Sequence, residues 1–262
     1  MLRKLWNRIR GMTVEEKPMH SITSPAELEF EHGAATAIGM RDVNADSFAV
    51  NRKKKLFVVA DGVGNKSGQI ASRYVCRTVK HAFNSSTPNT LLKAALQADE
   101  KLQAAKTRRE KVNGVLYEVK PLTTLTALHF GENNKAHIVH AGDSSIYRLR
   151  GNKLKKLTSP VEPGFQGIGG LYESLYEKQP PVVKFTDFKQ GDVFLLCTDG
   201  VTGNEPGTWG GGRILSDEEL KQALVKTAIG KQTPEQTAQD LVDLYGFRDS
   251  RTAIVVKVRR KV

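Results

Sequence analysis

Two apolar runs in this chain end alike: LFVVADG (56–62) and FLLCTDG (194–200) both close on Asp-Gly. A carboxylate placed straight after a buried strand is held rigidly at the end of its sheet. The glycine lets the chain turn sharply and leaves a neighbouring carbonyl able to approach a ligand. Three further aspartates stand at similar borders. Asp46 opens the run SFAV, Asp143 lies within HAGDSSIYRL, and Asp249 comes just before TAIVVKV. Carboxylate oxygens, a backbone carbonyl and water are the donors that a hard cation such as Mg²⁺ or Mn²⁺ prefers. Without a cation, converging carboxylates repel one another. Taken singly, each aspartate reads as a turn or strand-end residue; the chemistry lies in the ordered set.

Other reactive side chains offer less. Cys76 and Cys197 are far apart, form no CxxC, and fall on a helical and an apolar strand run, so both are expected in the core. No C-x5-R loop marks a thiolate-dependent phosphatase, and the six histidines form no H-x-H pair. With so few cysteines the expected setting is a reducing one, and the chain is read as cytoplasmic.

The elements that must position the aspartates follow from hydrophobic period. Strands are expected at 45–50, 55–60, 122–130, 135–141, 145–150, 182–185, 192–197 and 252–258, several joined by short turns such as Gly131–Asn134, which argues antiparallel pairing. Helices are expected from Ser67 to Phe83, with Ile70, Tyr74, Val75, Val79 and Phe83 on the inner face, and from Thr90 to Lys106. Ser216 with Glu219 forms a capping box before a third helix, and Thr233-Pro234 with Gln236 opens a fourth that Gly246 closes. Strands in runs and helices in pairs specify an α+β fold rather than alternating βαβ units.

Residues 1–31 differ from this body, which is read as one domain over 32–262. MLRKLWNRIR carries four cations and no acid, with Leu2, Leu5, Trp6 and Ile9 at helical spacing. A connector follows that contains Glu15, Glu16, Glu27, Glu29 and Glu31. Residues 1–14 are either a segment that contacts a membrane surface or partner, or a frayed terminus lying on the body; the second is favoured. Over the whole chain, 40 Lys+Arg against 28 Asp+Glu give +12 among 262 residues. That charge suits an anionic partner without choosing one. The basic clusters, Arg52-Lys53-Lys54-Lys55, Arg108-Arg109, Lys155-Lys156 and Arg259-Arg260-Lys261, read as solvated turns or chain ends. Aromatics at 7% give no interleaved stacking pattern, so nucleic-acid binding is not expected. No apolar run approaches the ~20 residues of a bilayer span.

The ordered set resembles the metal-dependent protein phosphatases, the type 2C Ser/Thr (PPM) family of bacterial type. Arg41-Asp42-Val43-Asn44-Ala45-Asp46-Ser47 is similar to the family's R-x-x-N-E-D-S, and LFVVADGVGNKSGQIAS to its hDGhGG…G…AS segment. Leu122-Thr123-Thr124 stands where the family has G-T-T. HAGDSSIYRLRGNKLKKLT, GDVFLLCTDGVTGN and Asp249-Ser250-Arg251-Thr252-Ala253 follow in the family's order. The resemblance runs from about residue 33 to 258. It implies a four-layer αββα architecture, two packed antiparallel sheets flanked by helices, with two divalent cations, Mn²⁺ or Mg²⁺, at one end. In that reading Asp61 bridges both cations, the Gly62 carbonyl binds one, Asp199 and Asp249 bind the other, and Asp143 helps hold a weaker third. Asp46 holds metal-bound water, and Arg41 grips the substrate phosphate, a task that suits a planar guanidinium. The implied activity is hydrolysis of phosphoserine and phosphothreonine in proteins by a monomeric enzyme, through a water activated by two metals.

The chain departs from the pattern at several places. Ala45 replaces a Glu that orders water in the second layer around the metals. Asn65 replaces a Gly, Leu122 the Gly before Thr-Thr, and Ser145 an Arg. Ser159-Pro160-Val161-Glu162 stands in place of D-H-S, the flap between 158 and 191 is short, and Val63 follows the first Asp-Gly. These changes keep a second reading open, that of a catalytically weak or inactive regulator. The survival of every direct ligand position favours the enzyme.

Overall fold

The computed structural model describes residues 27–40, 42–84, 89–106, 108–112, 115–158, 167–169, 181–203, 215–243 and 249–261. The expected N-terminal helix, Arg41, most of the short flap and the helix end at Gly246 lie outside them. The strands are β1 (Leu28–Ala37), β2 (Asp46–Asn51), β3 (Leu56–Asp61), β4 (Arg108–Val112), β5 (Val115–Val119), β6 (Leu122–Thr123) and β7 (Leu125–Phe130). They continue with β8 (Lys135–Ala141), β9 (Ser145–Arg150), β10 (Lys153–Lys156), β11 (Ile168–Gly169), β12 (Val182–Asp187), β13 (Val193–Cys197) and β14 (Arg251–Arg260). The helices are α1 (Lys66–Ala82), α2 (Thr90–Gln103), α3 (Asp199–Thr202), α4 (Asp217–Ala228) and α5 (Pro234–Asp243).

Two five-stranded sheets form the body, in the orders β1-β14-β13-β9-β10 and β12-β8-β7-β3-β2. Every pairing within them is antiparallel. Their central strands are apolar on both faces because each sheet is covered twice. In β3, Leu56, Val58 and Ala60 pack under α1 and α2 with Val75, Val79 and Leu91, while Phe57 and Val59 point into the layer between the sheets. In β13, Leu195 and Cys197 meet α4 and α5 through Leu220 and Leu241, while Phe194 and Leu196 join Phe57 and Phe130 between the sheets. Three stacked cores therefore separate four layers, the αββα architecture expected from sequence. Phe57, Phe130 and Phe194 are at most 1% exposed, and each such ring contributes about 1.5–3 kcal/mol by leaving water.

Both caps read from sequence are formed. Ser216 Oγ accepts from the Glu219 N–H, and the Glu219 carboxylate accepts from the Ser216 N–H at 2.9 Å. Thr233 and Gln236 make the same reciprocal pair before α5. The inner face of α1 differs from the expectation. Ser67, Gly68, Ala71, Ser72, Val75, Cys76 and Val79 are buried, whereas Ile70 is 38% exposed. Small residues face the sheet because the helix start lies against the backbone that leaves β3; a Cβ on Gly68 would stand 2.6 Å from the Gly62 carbonyl. Strand β1 begins at Leu28, inside the stretch read as connector, and pairs with β14 from Leu28↔Arg260 to Ala37↔Arg251. Both cysteines are buried in the core, as expected.

Candidate active site

Antiparallel pairing brings the aspartate borders to one end of the sandwich. β2 starts where β3 ends, so Asp46 and Asp61 are register partners. β13 ends where β14 and β9 begin, with Cys197 opposite both Ala253 and Ser145. Asp199, Asp249 and Asp143 therefore leave the second sheet at that same end. The five predicted aspartates thus share one rim, with the Gly62 backbone beside them.

Each is fixed by its neighbours. Around Asp61 the backbone is clamped by the Thr123-Thr124 pair. Its N–H donates to Thr124 Oγ1 at 2.8 Å, and its carbonyl accepts from Thr124 N–H at 2.8 Å and Thr123 Oγ1 at 2.7 Å. Gly62 follows, its N–H donating to the Ala45 carbonyl at 3.2 Å. That carbonyl also accepts from Ser72 Oγ at 2.5 Å, while the Ala45 N–H donates to Ser250 Oγ at 3.3 Å. Ala45 thus ties β2, α1 and the turn before β14 together through its main chain. The close approach at Gly200, whose Cβ position lies 2.0 Å from the Ser250 carbonyl, sets Asp199 beside Asp249.

Thr198 joins the two sheets at the rim. Fully buried, it donates its hydroxyl to Asp46 Oδ2 at 2.7 Å and accepts from the Thr252 N–H at 3.0 Å. Asp46 is 5% exposed, and its other oxygen, Oδ1, has no hydrogen-bond partner. Burial pushes the Asp46 carboxyl up to about 7 against the Thr198 and Thr252 hydrogen bonds, and the charges of Asp199 and Asp249 push the same way. Asp61 keeps partial solvent access at the rim, yet protein surrounds it closely enough that burial leads the causes raising its pKa well above the carboxylate range. The charges of Asp46 and Asp199, a hydrogen bond with Asp199 and the charge of Asp143 add to that rise.

Such a site is electrostatically incomplete without positive charge. The donors are all oxygen, the buried Oδ1 of Asp46 is orphaned, and the like charges hold one another in a strained protonation balance. Among the described residues no three His, Cys, Asp or Glu side chains form a closed ligand cluster as they stand. The donor chemistry fits a hard divalent cation.

Sequence reasoning passed over Thr198 and gave Thr123 and Thr124 no role. The available signals were a hydroxyl directly before the second Asp-Gly and a Thr-Thr doublet where a single strand seemed to run.

The chain matches the family described as "Protein phosphatase 2C" over residues 35–244, most of its length. It belongs to the protein phosphatase 2C family. Among related proteins, the serine/threonine protein phosphatase PstP of Mycobacterium tuberculosis is 28% identical over 246 residues, covering 84% of this chain and 43% of PstP. The chain thus spans less than half the length of the curated relatives it matches. The structure of PppA, described as a key regulatory component of T6SS in Pseudomonas aeruginosa, aligns at 27% identity with a TM-score of 0.67, over 88% of this chain and 98% of that one. The catalytic domain of PstP, solved in complex with two manganese ions, aligns with a TM-score of 0.68 at 24% identity, over 89% and 100% of the two chains. At that identity the last likeness bears on the fold.

Proposed function

We propose that this chain is a metal-dependent phosphatase that hydrolyses phosphoserine and phosphothreonine esters in proteins. The observation that carries the reading is the rim of buried oxygen donors in a protein phosphatase 2C fold. Asp61, the Gly62 carbonyl, Asp199 and Asp249 would hold two cations, Mn²⁺ or Mg²⁺, and Asp143 a weaker third. Bound there, the cations supply Lewis acidity that makes water nucleophilic near neutral pH and offsets charge on the phosphoryl group.

The chain's own residues do the rest. Thr198 fixes the Asp46 carboxylate by one oxygen and leaves Oδ1 free to accept a hydrogen bond from the attacking water and orient it. Thr123 and Thr124 hold the Asp61 backbone so that the carboxylate cannot swing away. Arg41, outside the described residues, has the guanidinium suited to two phosphoryl oxygens. The reading as an inactive regulator rested on the missing Glu at position 45 and on the short flap, most of which lies outside the described residues; at position 45 the chain still contributes an intact main-chain hub.

Among the described residues no helix is long and apolar enough to cross a membrane. We read the phosphatase as a cytoplasmic monomer, with residues 1–14 as its candidate contact to an anionic membrane or partner surface.

Hydrolysis of p-nitrophenyl phosphate, with and without Mn²⁺, tests the activity. Mn²⁺-dependent turnover that Asp61→Asn abolishes is the expected result. Turnover unchanged by chelation, or retained by Asp61→Asn, contradicts it.

A further inference from the structure

Helix α1 turns a basic stripe to solvent. Its exposed positions, Ala82 apart, are Lys66, Ile70, Arg73, Arg77 and His81. Spacings of three and four set them on one face, with the half-buried Lys80 beside them. None of the helix's 17 residues is acidic. From Gly62 to Ala98 the chain holds no Asp or Glu, although acids are 28 of its 262 residues. Among the described residues, Lys66, Arg73, Arg77 and Lys80 enter no ion pair and no side-chain hydrogen bond. On the neighbouring α2, Asp99 is buried and accepts from the Gly169 N–H at 2.8 Å and from Gln103 Nε2 at 2.9 Å, and the exposed Glu100 pairs with none of the four. Within the described residues the charge of the stripe is therefore uncompensated.

The stripe starts at the catalytic rim. The inner side of α1's first turns is tied to it: a Cβ on Gly68 would stand 2.6 Å from the Gly62 carbonyl oxygen, Gln69 Nε2 donates to the Asn44 carbonyl at 2.9 Å, and Ser72 Oγ to the Ala45 carbonyl at 2.5 Å. From Lys66 the helix rises about 10 Å to Arg73 and about 21 Å to Lys80, at about 1.5 Å per residue. Arg73 and Arg77 are about 6 Å apart along the axis, close to the spacing of alternate residues in an extended chain. A peptide that leaves the rim along α1 therefore meets cations at its own side-chain period. The chemistry of the stripe narrows the partner. Its one apolar side chain, Ile70, is 38% exposed, too little to anchor a helix in a bilayer. It holds no Phe, Tyr or Trp, so it lacks the stacking platforms on which single-stranded nucleic acid binds.

We propose that the outer stripe of α1 docks an acidic segment of a substrate protein, lying on one side of the phosphorylated residue. The inference rests on the phosphatase reading and adds a substrate class to it: phosphoproteins with an acidic tract about three to six residues from the phosphoresidue, the reach set by the rise to Arg73 and to Lys80. Arg73, Arg77 and Lys80 supply the charge complementarity, and the attachment of α1 to the rim fixes the direction in which the tract must run.

The test uses the full chain and a stripe variant with Arg73→Gln, Arg77→Gln and Lys80→Gln. A control with Lys153→Gln, Lys189→Gln and Lys231→Gln removes the same net charge from exposed turns elsewhere. Fluorescence anisotropy measures binding of a labelled glutamate hexapeptide. Steady-state kinetics measure p-nitrophenyl phosphate and three phosphothreonine peptides, with a glutamate tract before the phosphoresidue, after it, or absent. Relative to the control, the stripe variant is expected to lose about tenfold in hexapeptide affinity, each exposed cation being worth a small factor. With the wild type, one of the two acidic peptides should have the lower KM, and the stripe variant should lose that advantage by the same factor. Its kcat, its thermal melt and its p-nitrophenyl phosphate turnover should match the control. Arg73→Lys with Arg77→Lys, which keeps the charge, should bind as the wild type does, and the preference should fade at high salt. Hexapeptide binding no weaker in the stripe variant than in the control overturns the proposal, as does an equal gain from both tracts. So do phosphatidylserine vesicles or a duplex oligonucleotide that bind more tightly than the peptide through the same three residues. If the wild type does not hydrolyse p-nitrophenyl phosphate, the phosphatase reading fails, and the anisotropy still decides whether the stripe takes acidic peptide.

Discussion

Gly62→Ala is the sharpest perturbation of the metal rim that leaves every carboxylate in place. A Cβ on Gly62 would stand 2.1 Å from the Gly68 carbonyl oxygen, 2.2 Å from its carbon and 2.7 Å from the Ala45 carbonyl oxygen. Ordinary contact begins near 3.4 Å, so the backbone of β3's end and the start of α1 must part by about 1.3 Å. No side chain can rotate to absorb this, because every atom met is backbone. Overpacking of this kind costs about 1–3 kcal/mol, and a metal site tolerates errors of only about 0.2 Å in its ligand distances. The variant should therefore lose stability in urea and, separately, bind Mn²⁺ at least about tenfold more weakly at temperatures where it is folded. Gly33→Ala is the matched control. Its Cβ would meet Glu235 backbone atoms at 2.1 Å, on the helical face of β1, away from the aspartates. It should lose similar stability while keeping wild-type Mn²⁺ dependence. If Gly62→Ala keeps that dependence, or if Gly33→Ala loses it equally, the claim that the Gly62 backbone positions a ligand is refuted.

Thr198→Val removes a buried side-chain donor to Asp46 Oδ2 and the acceptor for Thr252 N–H; kcat should fall about 10–100-fold with KM for p-nitrophenyl phosphate little changed. Arg150 binds the buried Asp192 by two bonds, at 2.8 and 2.6 Å, so Arg150→Ala should cost about 3–5 kcal/mol in urea unfolding, and adding Asp192→Asn should recover part of the loss. His140 is buried, hydrogen-bonded to Thr126 at 2.9 Å and held at a pKa of about 4. Because that folded value lies below the unfolded one of about 6.5, the unfolded chain binds more protons between the two. Its contribution, on the order of 3 kcal/mol, is present above pH 6.5 and is lost as pH falls toward 4. Thermal melts across that window should show His140→Gln as less acid-sensitive than the wild type.

β3 and β13 were legible because their sequences are apolar on both faces and run into Asp-Gly, and those properties survive in the fold without help from distant residues. β1 was not legible. LEFEHGAATA carries Glu29 and Glu31 on one face of an edge strand, where they meet Arg259, the nearer bond being 2.9 Å. Those acids resemble a connector until the basic end of β14 is laid beside them, although their spacing of two is a strand signal. The β4–β5 hairpin, with its Arg109–Glu118 pair, and β10, with its lysines, were hidden for the same reason. Edge strands owe their place to a neighbour rather than to their own hydrophobic pattern. The aspartates themselves were identifiable, but their supports were not. Thr198 reaches Asp46 across 152 positions of sequence, and Ser250 reaches Ala45 across 205. Ile70 was misassigned because hydrophobicity outweighed the need for small residues where α1 touches the β3 turn.

The central claim is that Asp61, Gly62, Asp199 and Asp249 hold two divalent cations at the rim of the sandwich. Calorimetric titration of Mn²⁺ into the chelator-stripped protein tests it directly. The account predicts two strong sites per chain in the wild type, none at comparable affinity in Asp61→Asn, and for Asp61→Asn a metal-free melt no lower than the wild type's, because a repelling carboxylate has gone. Two strong sites retained in Asp61→Asn, or no strong site in the wild type, would contradict it.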